Sequence, residues 1–585
     1  TTRRFTKEIF GWAGERLPDL SAPLDCYADG SVLGCYASET HLEGELDENP
    51  VLRTVSVQRN MDIIKGWVDR MEPFILVGPE GAGKNMLLMY ALSKQRSTTV
   101  TTLHCNAQTT AENVVQRIQQ ACVEQHSNNG RVLRPRSGDR LVLYLKDINL
   151  PKPDKYDTCM LIAFLQQLIT FKGFYNENLE FVTLERIHIV CSMNPATTVG
   201  RHPLSTRFTA IAHIAYIDYP KKDELVSIYS SFLEKAFETR ELAESRFKSP
   251  KEAKKLADTM VELFSQVKSK FSVDDHRHYL FTPRHLTAWV LGLLRYDLAS
   301  EDLLDVVSYE AQRLFRDRLV DEQSEGKFDS MLNSLIKSRW SKAPDIKNQY
   351  FTSLMNASSV GGSGGGQKEQ EGKNDDDEMG GGPKKDIGPM LSRIDYNGFS
   401  EIVKNGLELY ERDERELNIL LFKEVLDNIA RVDRTLSKIG GSLLLVGRSG
   451  VGRRTATSLV AHMHGMEFKM LDITDEYSTK ILHLQLKSIL QVAGIDGVGV
   501  VFYVEDHHIH ILNDVLETIN SLLSSGEVPG LYTHEELEPL LAPLREQMMQ
   551  VDGYFRTPYD YFLHQIKKNL HVVLGMDSVN PSFGV

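Results

Sequence analysis

Two glycine-rich turns, each between an apolar strand and a helix, constrain the fold of this chain more than any other feature. The first is "FILVGPEGAGKNML" (74–87) and the second is "LLLVGRSGVGRRTAT" (443–457). The glycines recur at one spacing in both turns: Gly78, Gly81 and Gly83, then Gly447, Gly450 and Gly452. This repetition predicts a divergent internal repeat, in which each copy begins with a strand, a phosphate loop and a helix.

The first turn has the chemistry of a nucleotide phosphate loop. In such a loop, backbone N–H groups and the helix N-terminus bind the phosphates, a lysine reaches the β- and γ-oxygens, and a Ser or Thr hydroxyl holds Mg²⁺. Lys84 supplies the cation, but Asn85 stands where the hydroxyl is expected. The alternative is a tight strand-to-helix connection with no ligand. The candidate phosphate-binding residues are Gly78, Pro79, Glu80, Gly81, Ala82, Gly83, Lys84 and Asn85.

The second turn keeps the glycines and loses the lysine. Arg453 takes the lysine position and Arg454 the hydroxyl position, and a planar guanidinium does not replace a compact ammonium inside a tight loop. Two interpretations stay open: a retained backbone cradle with altered phosphate contacts, or a loop that binds no nucleotide. The candidate residues are Gly447, Arg448, Ser449, Gly450, Val451, Gly452, Arg453, Arg454 and Thr455.

The strand ends that follow each loop carry the candidates for hydrolysis. An NTPase of this kind places an Asp for Mg²⁺ and a water-orienting residue at such positions. "LVLYLKDINLP" has Lys146 and Asp147 there, whereas "VVFYVEDHHIH" has Glu505 and Asp506. A lysine opposes Mg²⁺, and an aspartate is one methylene shorter than a glutamate. We therefore predict that Asn85 and Lys146 weaken Mg²⁺ binding, and that neither site is an unmodified ATPase.

Further polar residues complete the two candidate sites. Asn194 in "VCSMNP" is placed to sense the γ-phosphate, whereas the corresponding Asp577 in "LGMDSVN" would repel it. Arg207 in "LSTRF" is a candidate arginine finger for a neighbouring module, and Arg284 in "FTPRHL" is placed to touch nucleotide bound to its own module. For each arginine the alternative is a surface ion pair. The run "DHHIH" (506–510) lacks a second ligand cluster, so no metal site is predicted.

The pattern of apolar runs predicts an α/β protein with tandem modules. Short apolar runs alternate with helix-period stretches in the first part, which favours a parallel βαβ sheet, and the chain turns helical from about residue 221. The glycine-rich, charged segment 356–390 cannot bury enough surface to offset its ordering entropy. The predicted domains are a connecting segment (1–50), an α/β core (51–220), a helical lid (221–355), a flexible linker (356–390) and a second α/β core that stops before a lid (391–585).

Composition narrows the classes of partner. The formal charge of −13 argues against a basic nucleic-acid-binding face, and no apolar run approaches the ~20 residues of a membrane-spanning helix. All six cysteines lie in the first third with no CxxC pair, which favours a reduced, cytoplasmic setting. The chain begins mid-pattern at "TTRRFTKEIF" without a methionine, so we expect it to be a segment of a longer polypeptide.

These motifs resemble two consecutive AAA+ modules of a dynein heavy chain, the third and fourth of its ring, and within that family they are most similar to the cytoplasmic dynein 2, or intraflagellar transport, branch. The departure of "LKDINLP" from the usual dynein "DEINLP" favours this branch. The resemblance covers nearly the whole chain apart from the linker. Its most specific stretches are "FILVGPEGAGKNMLLMYALS", "LVLYLKDINLPKPDKYDT", "FYNENLEFV", "FTPRHLTAWVLGLLRYDL", "GGSLLLVGRSGVGRRTATSLVAHMHG" and "INSLLSSGEVPGLYTHEELEPLL".

The resemblance implies part of a minus-end-directed microtubule motor that carries cargo from the ciliary tip back to the base. In this family the principal hydrolytic site lies in the first module, and the third and fourth modules are regulatory. The implied partners are the neighbouring AAA+ modules, microtubules through a stalk outside this segment, the intermediate, light-intermediate and light chains, and intraflagellar transport trains. The implied locations are the cytoplasm, the cytoskeleton and the axoneme of the cilium.

The resemblance also bears on turnover. A site between adjacent modules is completed in this family by an arginine from the next module, so Lys84 would await one from the second part, and Arg207 would serve a preceding module. We therefore expect the segment to bind ATP or ADP better than it hydrolyses ATP. Two alternatives stay open: structural spacers in which a permanent ADP joins core to lid, and a AAA+ remodelling enzyme acting on protein or nucleic acid.

Overall fold

The computed structural model describes most of the chain. The described residues are 2–14, 18–19, 22, 25–29, 32–39, 42–44, 50–95, 97–127, 130–176, 178–238, 240, 242–341, 344, 349–357, 388–417, 419–473, 478–511, 515–528, 530–550, 555 and 557–577. Most of the predicted linker (356–390) lies outside them. The chain forms two compact units: unit 1 comprises Thr1–Thr239, Arg246–Gln266 and Phe281–Thr287, and unit 2 comprises Arg240–Ser245, Val267–Leu280 and Ala288–Val585.

Unit 1 contains the first phosphate loop. Its strands are β1 (Cys26–Asp29), β2 (Val32–Cys35), β3 (Leu42–Glu43), β4 (Val51–Leu52), β5 (Phe74–Val77), β6 (Thr98–His104), β7 (Cys122–Ser127), β8 (Gly130–Pro135), β9 (Arg140–Lys146), β10 (Gly173–Tyr175), β11 (Phe181–Leu184), β12 (Ile187–Met193) and β13 (His213–Tyr216). Its helices are α1 (Thr2–Trp12), α2 (Val55–Arg70), α3 (Lys84–Ser93), α4 (Ala111–Ala121), α5 (Met160–Phe171), α6 (Thr206–Ala210) and α7 (Lys222–Glu238).

The main sheet of unit 1 is parallel, in the order β13-β5-β12-β9-β6. Its five strands coincide within one residue with the apolar runs "FILV" (74–77), "TVTTLHC" (99–105), "RLVLYL" (140–145), "RIHIVCSM" (186–193) and "AHIAYI" (212–217). Strand β5, which leads into the phosphate loop, lies between β12 and β13. Because the strands are parallel, their carboxyl ends share one edge of the sheet, and this edge gathers the residues that follow β5, β9 and β12.

Helices cover both faces of this sheet, which explains the uninterrupted apolar runs. Ile75 and Leu143 belong to a core shared with α4 and α5, whereas Phe74 and Val142 belong to a core shared with α2 and α3. Adjacent strand residues point to opposite faces, so a strand buried on both sides must be apolar throughout. Each fully buried Leu or Ile side chain contributes about 1.5–3 kcal/mol of hydrophobic stabilisation. The doubly covered parallel sheet confirms the predicted α/β class.

A second, smaller sheet in unit 1 was not predicted. Its order is β10-β11-β8-β7, with β8 and β11 parallel and the other two pairs antiparallel. Its strands mix apolar and charged residues, and surface pairs such as Arg131–Glu124 (2.9 Å) and Arg134–Glu185 (2.8 Å) join neighbouring chain segments. Short strands with only one apolar face give a weak sequence signal.

The region after residue 221 is helical, as predicted. In addition to α7, it contains α8 (Pro250–Lys270), α9 (Pro283–Leu293), α10 (Leu303–Leu314), α11 (Glu322–Trp340) and the short α12 (Leu354–Ala357). Helices α8 and α9 each contribute residues to both units. Among the helices of the described residues, none is both long and apolar enough to cross a bilayer.

Unit 2 contains the second phosphate loop. Its strands are β14 (Gln349–Thr352), β15 (Ser392–Asp395), β16 (Leu443–Val446), β17 (Glu467–Met470), β18 (Val500–Glu505) and β19 (Leu570–Met576). Its helices after α12 are α13 (Tyr396–Asp413), α14 (Lys423–Leu436), α15 (Arg453–Met463), α16 (Thr479–Gln491), α17 (Asp506–Ile511), α18 (Val515–Ser525), α19 (His534–Gln550) and α20 (Pro558–Asn569).

The main sheet of unit 2 repeats the topology of unit 1. Strands β16-β19-β18-β17 are parallel, and this order matches β5-β12-β9-β6 strand for strand. Phe502 packs on one face with α16 and α20, whereas Tyr503 packs on the other with α14 and α15. The shared strand order confirms the predicted internal repeat.

One helix prediction was wrong at its start. The run "LNILLFKEVLDNIARVDRTL" (417–436) has apolar residues at helical spacing and predicts a helix throughout, but α14 begins only at residue 423. Leu417, Ile419 and Leu421 are partly buried against the core of unit 2, whereas Leu420 is exposed. This alternation has a period of two, which fits an extended segment rather than a helix.

Unit 2 also holds a buried cluster of charges. The fully buried carboxylate of Glu310 on α10 accepts hydrogen bonds from Nε and Nη2 of Arg434 on α14. The Tyr296 hydroxyl donates to the same carboxylate. Arg295 donates to the Arg434 carbonyl and to the Ser437 hydroxyl, both at 2.7 Å. These bonds tie α10 to α14, the helix that leads into the second phosphate loop.

Candidate nucleotide-binding sites

The backbone of the first loop requires glycine at three positions. A Cβ on Gly78 would lie 2.1 Å from the Ile217 carbonyl oxygen, and a Cβ on Gly81 would lie 2.9 Å from the Thr282 Cβ. Gly81 and Gly83 have φ angles of +77° and +87°, in the left-handed region that favours glycine. Helix α3 begins immediately after, at Lys84, so the loop delivers a helix N-terminus to the edge of the sheet. This backbone is that of a phosphate cradle.

Lys84 joins the loop to the predicted sensor residue. Its Nζ donates to the carbonyls of Gly78 (2.6 Å) and Pro79 (3.0 Å) and to Asn194 Oδ1 (2.8 Å). Burial lowers the pKa of Lys84 to about 8, and the nearby Asp147 carboxylate opposes that shift. Lys84 is thus held over the mouth of the loop, where phosphate oxygens would compete with these acceptors. The structure brings the two predicted residues, Lys84 and Asn194, into direct contact.

The lowered pKa predicts that nucleotide affinity falls as the pH rises through about 8. Lys84 is charged at pH 7 and largely neutral at pH 9, and a bound phosphate favours only the charged form. We expect affinity for ADP, measured by equilibrium titration, to weaken about tenfold between these pH values. Lys84→Arg, which stays charged throughout, should remove the dependence. Equal affinities of the parent chain at both pH values would contradict this assignment.

Asp147 and Lys146, at the end of β9, contact different groups. Asp147 Oδ1 lies 3.0 Å from Nη1 of Arg201, whose side chain is only 14% exposed. Asp147 has a φ of +57°, an unusual backbone conformation for a residue other than glycine, and such conformations cluster at functional sites. Lys146 Nζ lies 3.4 Å from His104 Nε2 and 5.5 Å from the Tyr144 ring centroid. The predicted water-orienting position is therefore paired with a cation.

Arg201 was missed by the sequence analysis. It follows the sensor asparagine by seven residues in "NPATTVGRHPLS", and its position alone suggested no role. The segment turns back on the sheet through backbone hydrogen bonds from Arg201 N–H to the Thr198 carbonyl (3.2 Å) and from His202 N–H to the Asn149 carbonyl (2.9 Å). Only this tertiary turn reveals that the arginine returns to Asp147.

A hydrogen bond from Asn149 holds the backbone of Asn194, the predicted sensor residue. Asn194 is buried, and the Asn149 side-chain amide donates to its carbonyl at 2.8 Å. Asn149 lies two residues after Asp147 on the same loop. The loops after β9 and β12 are therefore tied together at the edge of the sheet that carries Lys84.

The first site does not fit Mg²⁺. The ion prefers oxygen ligands, a Ser or Thr hydroxyl and a carboxylate among them. Asn85 offers no hydroxyl and is exposed, Lys146 brings a positive charge, and Asp147 is already paired with Arg201. No group of three or more His, Cys, Asp or Glu side chains that could hold a metal ion occurs within the part of the chain that the structure describes.

The two predicted arginines differ in their surroundings. Arg284, at the start of α9, lies 3.1 Å from Glu80 of the phosphate loop, and the Tyr219 hydroxyl donates to the Glu80 carbonyl at 2.6 Å. Arg284 therefore lies beside the first loop in a largely exposed ion pair, with its side chain 69% exposed and that of Glu80 44% exposed, and its contact with nucleotide stays a prediction. Arg207 on α6 is exposed and has no hydrogen bond or ion pair to another described residue. It is not part of the first site.

The second loop repeats the backbone of the first. Gly450 and Gly452 have φ angles of +86° and +79°, close to those of Gly81 and Gly83. Helix α15 begins at Arg453, as α3 begins at Lys84. Gly447 N–H donates to the Met576 carbonyl at 3.1 Å, the counterpart of the bond from Gly78 N–H to the Met193 carbonyl at 3.3 Å. The cradle is retained, but six of its nine candidate residues are exposed: Arg448, Ser449, Gly450, Val451, Gly452 and Arg454.

Two of the predicted side chains of the second site bond to backbone groups at the end of β19. The Arg453 guanidinium donates to the Met576 carbonyl at the end of β19. Asp506 accepts a hydrogen bond from the backbone N–H of Asp577, the residue at the sensor position. Glu505 Oε2 lies 3.3 Å from His507 Nδ1. Arg453 and Asp506 therefore bind the end of β19, whereas Glu505 pairs with His507.

The histidine run after β18 has a structural role at one position. His508 is buried, and its Nδ1 accepts a hydrogen bond from the Glu505 backbone N–H at 3.0 Å. Burial lowers the pKa of His508 to about 4, with His507 and Arg454 contributing. His508 is therefore neutral at physiological pH, with one ring nitrogen already occupied.

Two parallel-sheet units, each with a glycine loop between a strand of its main sheet and the helix that follows, define tandem AAA+ P-loop modules. The chain belongs to the dynein heavy chain family. Residues 48–220 match the family model of the P-loop containing dynein motor region, residues 232–325 match the dynein heavy chain ATPase lid domain, and residues 417–584 match the P-loop containing dynein motor region D4. The D4 match agrees with the predicted fourth-module identity of the second part.

Individual relatives agree with these family matches. Cytoplasmic dynein 2 heavy chain 1 of Tripneustes gratilla is 46% identical over 100% of this chain, and that of Homo sapiens is 46% identical over 99%. That of Chlamydomonas reinhardtii is 41% identical over 91% of the chain. The chain spans 14% of the length of the first two relatives and 12% of the third.

Proposed function

We propose that this chain is a nucleotide-binding regulatory segment of a minus-end-directed microtubule motor, and that its first loop holds ATP or ADP. The observation that carries the proposal is the bond from Lys84 to Asn194 across a glycine cradle of the required geometry. One group thus touches both the phosphate loop and the strand end that senses the γ-phosphate. The arrangement suits a site whose contacts differ between ATP and ADP.

The residues of the first site have distinct roles in this proposal. The loop N–H groups and the N-terminus of α3 bind the phosphates, which a nucleotide supplies as fixed negative charges. Lys84 exchanges its bonds with the Gly78 and Pro79 carbonyls for phosphate oxygens. Arg284 exchanges its ion pair with Glu80 for a contact with the phosphates of the nucleotide. Asp147, paired with Arg201, is not available to orient water, so retention is favoured over hydrolysis.

The wider assignments follow from the relatives and are part of the same proposal. The relatives are named cytoplasmic dynein 2 heavy chain 1, which supports a role in retrograde intraflagellar transport and a location on the cytoskeleton of the cytoplasm and cilium. Neighbouring AAA+ modules, microtubules, the smaller dynein chains and intraflagellar transport trains are the proposed partners. Arg207 acts across a module interface. The proposed domain boundaries are those predicted from the sequence.

The regulatory role is tested in the full-length heavy chain. Lys84→Ala should change the microtubule-stimulated rate of ATP turnover without abolishing it, because the principal hydrolytic site is proposed to lie elsewhere. Lys94→Ala is the matched control, since Lys94 lies at the other end of α3 in a surface pair with Glu43 (2.8 Å). Identical turnover by the parent and Lys84→Ala chains would contradict regulation by this site.

A permanent ADP that joins core to lid is the second candidate function. The pairing of Asp147 with Arg201 favours it, because loss of the Mg²⁺ ligands is compatible with slow exchange. Exchange of labelled ADP distinguishes the two. A regulatory site must release ADP within the working cycle of the motor, whereas a structural site retains it over many cycles.

A further inference from the structure

Beside Asp147, at the end of the first site where hydrolysis would take place, the chain supplies its own positive charge, the guanidinium of Arg201. Arg201 Nη1 lies 3.0 Å from Asp147 Oδ1, and Asp147 occupies the strand end where acids of a P-loop site meet Mg²⁺ and water. The Arg201 side chain is only 14% exposed, so its charge is held in a partly desolvated position. Interactions of such a charge with a ligand are screened less than those of a surface arginine.

The charges around Lys84 leave the site positive without a metal. The charged groups with the largest effect on its ammonium are the carboxylates of Asp147 and Glu80 and the guanidiniums of Arg284 and Arg201. Each carboxylate is paired with one guanidinium, Asp147 with Arg201 and Glu80 with Arg284. The Lys84 charge is left as the excess. A nucleotide phosphate therefore meets three cations in this corner and two carboxylates that are already neutralised.

Arg201 is also fixed in place. The segment that carries it is closed by its backbone bond to Thr198, and the next residue is bound to Asn149. Asn149 in turn donates to the Asn194 carbonyl. These bonds fix the backbone that carries Arg201, the guanidinium itself lies 3.0 Å from Asp147, and its planar fork suits phosphate oxygens.

We propose that Arg201 takes the place of Mg²⁺ at the first loop, so that this loop binds nucleotide without a divalent cation. Asp147 holds the guanidinium at the phosphate end, and Arg201 provides the charge that the missing hydroxyl and carboxylate ligands would otherwise recruit as a metal ion. This inference rests on the proposed binding of nucleotide at the first loop. It explains why Asn85 and Lys146 are compatible with a cradle that is otherwise complete.

The test is an equilibrium titration of the 585-residue chain with fluorescent ADP, in Mg²⁺ and in excess EDTA. The parent affinity should differ less than about twofold between the two buffers, because no metal bridges protein and phosphate. Arg201→Gln should bind about tenfold more weakly in EDTA, since it loses a charge-assisted contact. Arg201→Lys keeps the charge and should recover most of the affinity.

Two controls isolate the charge from folding. Arg134→Gln removes an arginine of the same unit that pairs with Glu185 on the surface, and it should bind as the parent does. The unfolding midpoint of Arg201→Gln without nucleotide shows whether the variant is folded. If it is not, the comparison of Arg201→Lys with the parent in EDTA and the metal dependence of the parent decide the question.

The outcomes separate this inference from the proposed function. Parent binding that survives EDTA and weakens in folded Arg201→Gln supports the inference. Parent binding confined to Mg²⁺, or equal binding by folded Arg201→Gln, overturns the inference and leaves nucleotide binding at the first loop intact. Absence of binding by the parent in both buffers contradicts the proposed function and the inference with it.

Discussion

Lys84→Ala is expected to abolish high-affinity nucleotide binding at the first loop. The ammonium bonds two loop carbonyls and Asn194, so it lies where phosphate oxygens would compete for these contacts. Loss of charge-assisted hydrogen bonds worth roughly 3 kcal/mol corresponds to a reduction in affinity of about a hundredfold. Equilibrium titration with labelled ADP at pH 7, where Lys84 is protonated, measures the effect.

The control for this prediction is Lys94→Ala, at the residue that follows the same helix. Lys94 is a surface lysine paired with Glu43, so its loss should leave the affinity within about twofold of the parent, because exposed pairs contribute little. Comparison of the two variants separates the effect of removing any lysine from the effect of removing the lysine at the phosphate loop. Tight binding retained by Lys84→Ala would show that the nucleotide, if bound, is held elsewhere in the chain.

The second large effect is expected at the buried pair of unit 2. Glu310→Ala removes the carboxylate that receives two bonds from Arg434 and one from Tyr296. Arg434 would remain on α14 with its side chain only 17% exposed and no anion beside it. Breaking a buried pair by removal of one partner costs about 3–5 kcal/mol of unfolding free energy. Hydrogen exchange of α10 and α14 in urea reports the loss directly in these two helices.

A surface pair provides the comparison for Glu310→Ala. Glu185→Ala removes a carboxylate from Arg134, and both side chains are more than two-fifths exposed, at 42% and 48%. Exposed pairs of this kind contribute about 0–1 kcal/mol. Equal losses of unfolding free energy in the two variants would mean that the Glu310–Arg434 pair does not stabilise the contact between α10 and α14.

The sequence predicted the parts of the fold that depend on local rules. Gly81 and Gly83 need a left-handed backbone, and the same requirement recurs at Gly450 and Gly452, so the loops were found from spacing alone. A strand buried on both faces must be uniformly apolar, so β9 was visible as an uninterrupted run. These features depend only on residues that are consecutive in the sequence.

The features that the sequence did not predict depend on contacts between distant residues. Arg201 reaches Asp147 only because the segment after β12 turns back, and nothing in its immediate neighbours encodes that return. The small sheet of β7, β8, β10 and β11 has one apolar face and short strands. The start of α14 was misjudged because Leu417, Ile419 and Leu421 pack as an extended segment on a core formed by remote helices.

The two loops share one backbone conformation but their first helical side chains contact different groups. Their glycine conformations agree closely, but Lys84 bonds the loop and the sensor, whereas Arg453 bonds the strand end through the Met576 carbonyl. In the second site, Asp506 also accepts a hydrogen bond from the backbone N–H of Asp577, the residue at the predicted sensor position. The difference therefore lies in the side chain that begins the helix and in the groups it engages.

Chromatographic measurement of the nucleotide that the purified chain releases tests the central claim, that the first loop is the site and the second is not. We predict that the parent chain carries nucleotide, that Lys84→Ala carries none, and that Arg453→Ala carries as much as the parent. Nucleotide that persists in Lys84→Ala and disappears in Arg453→Ala would contradict the account.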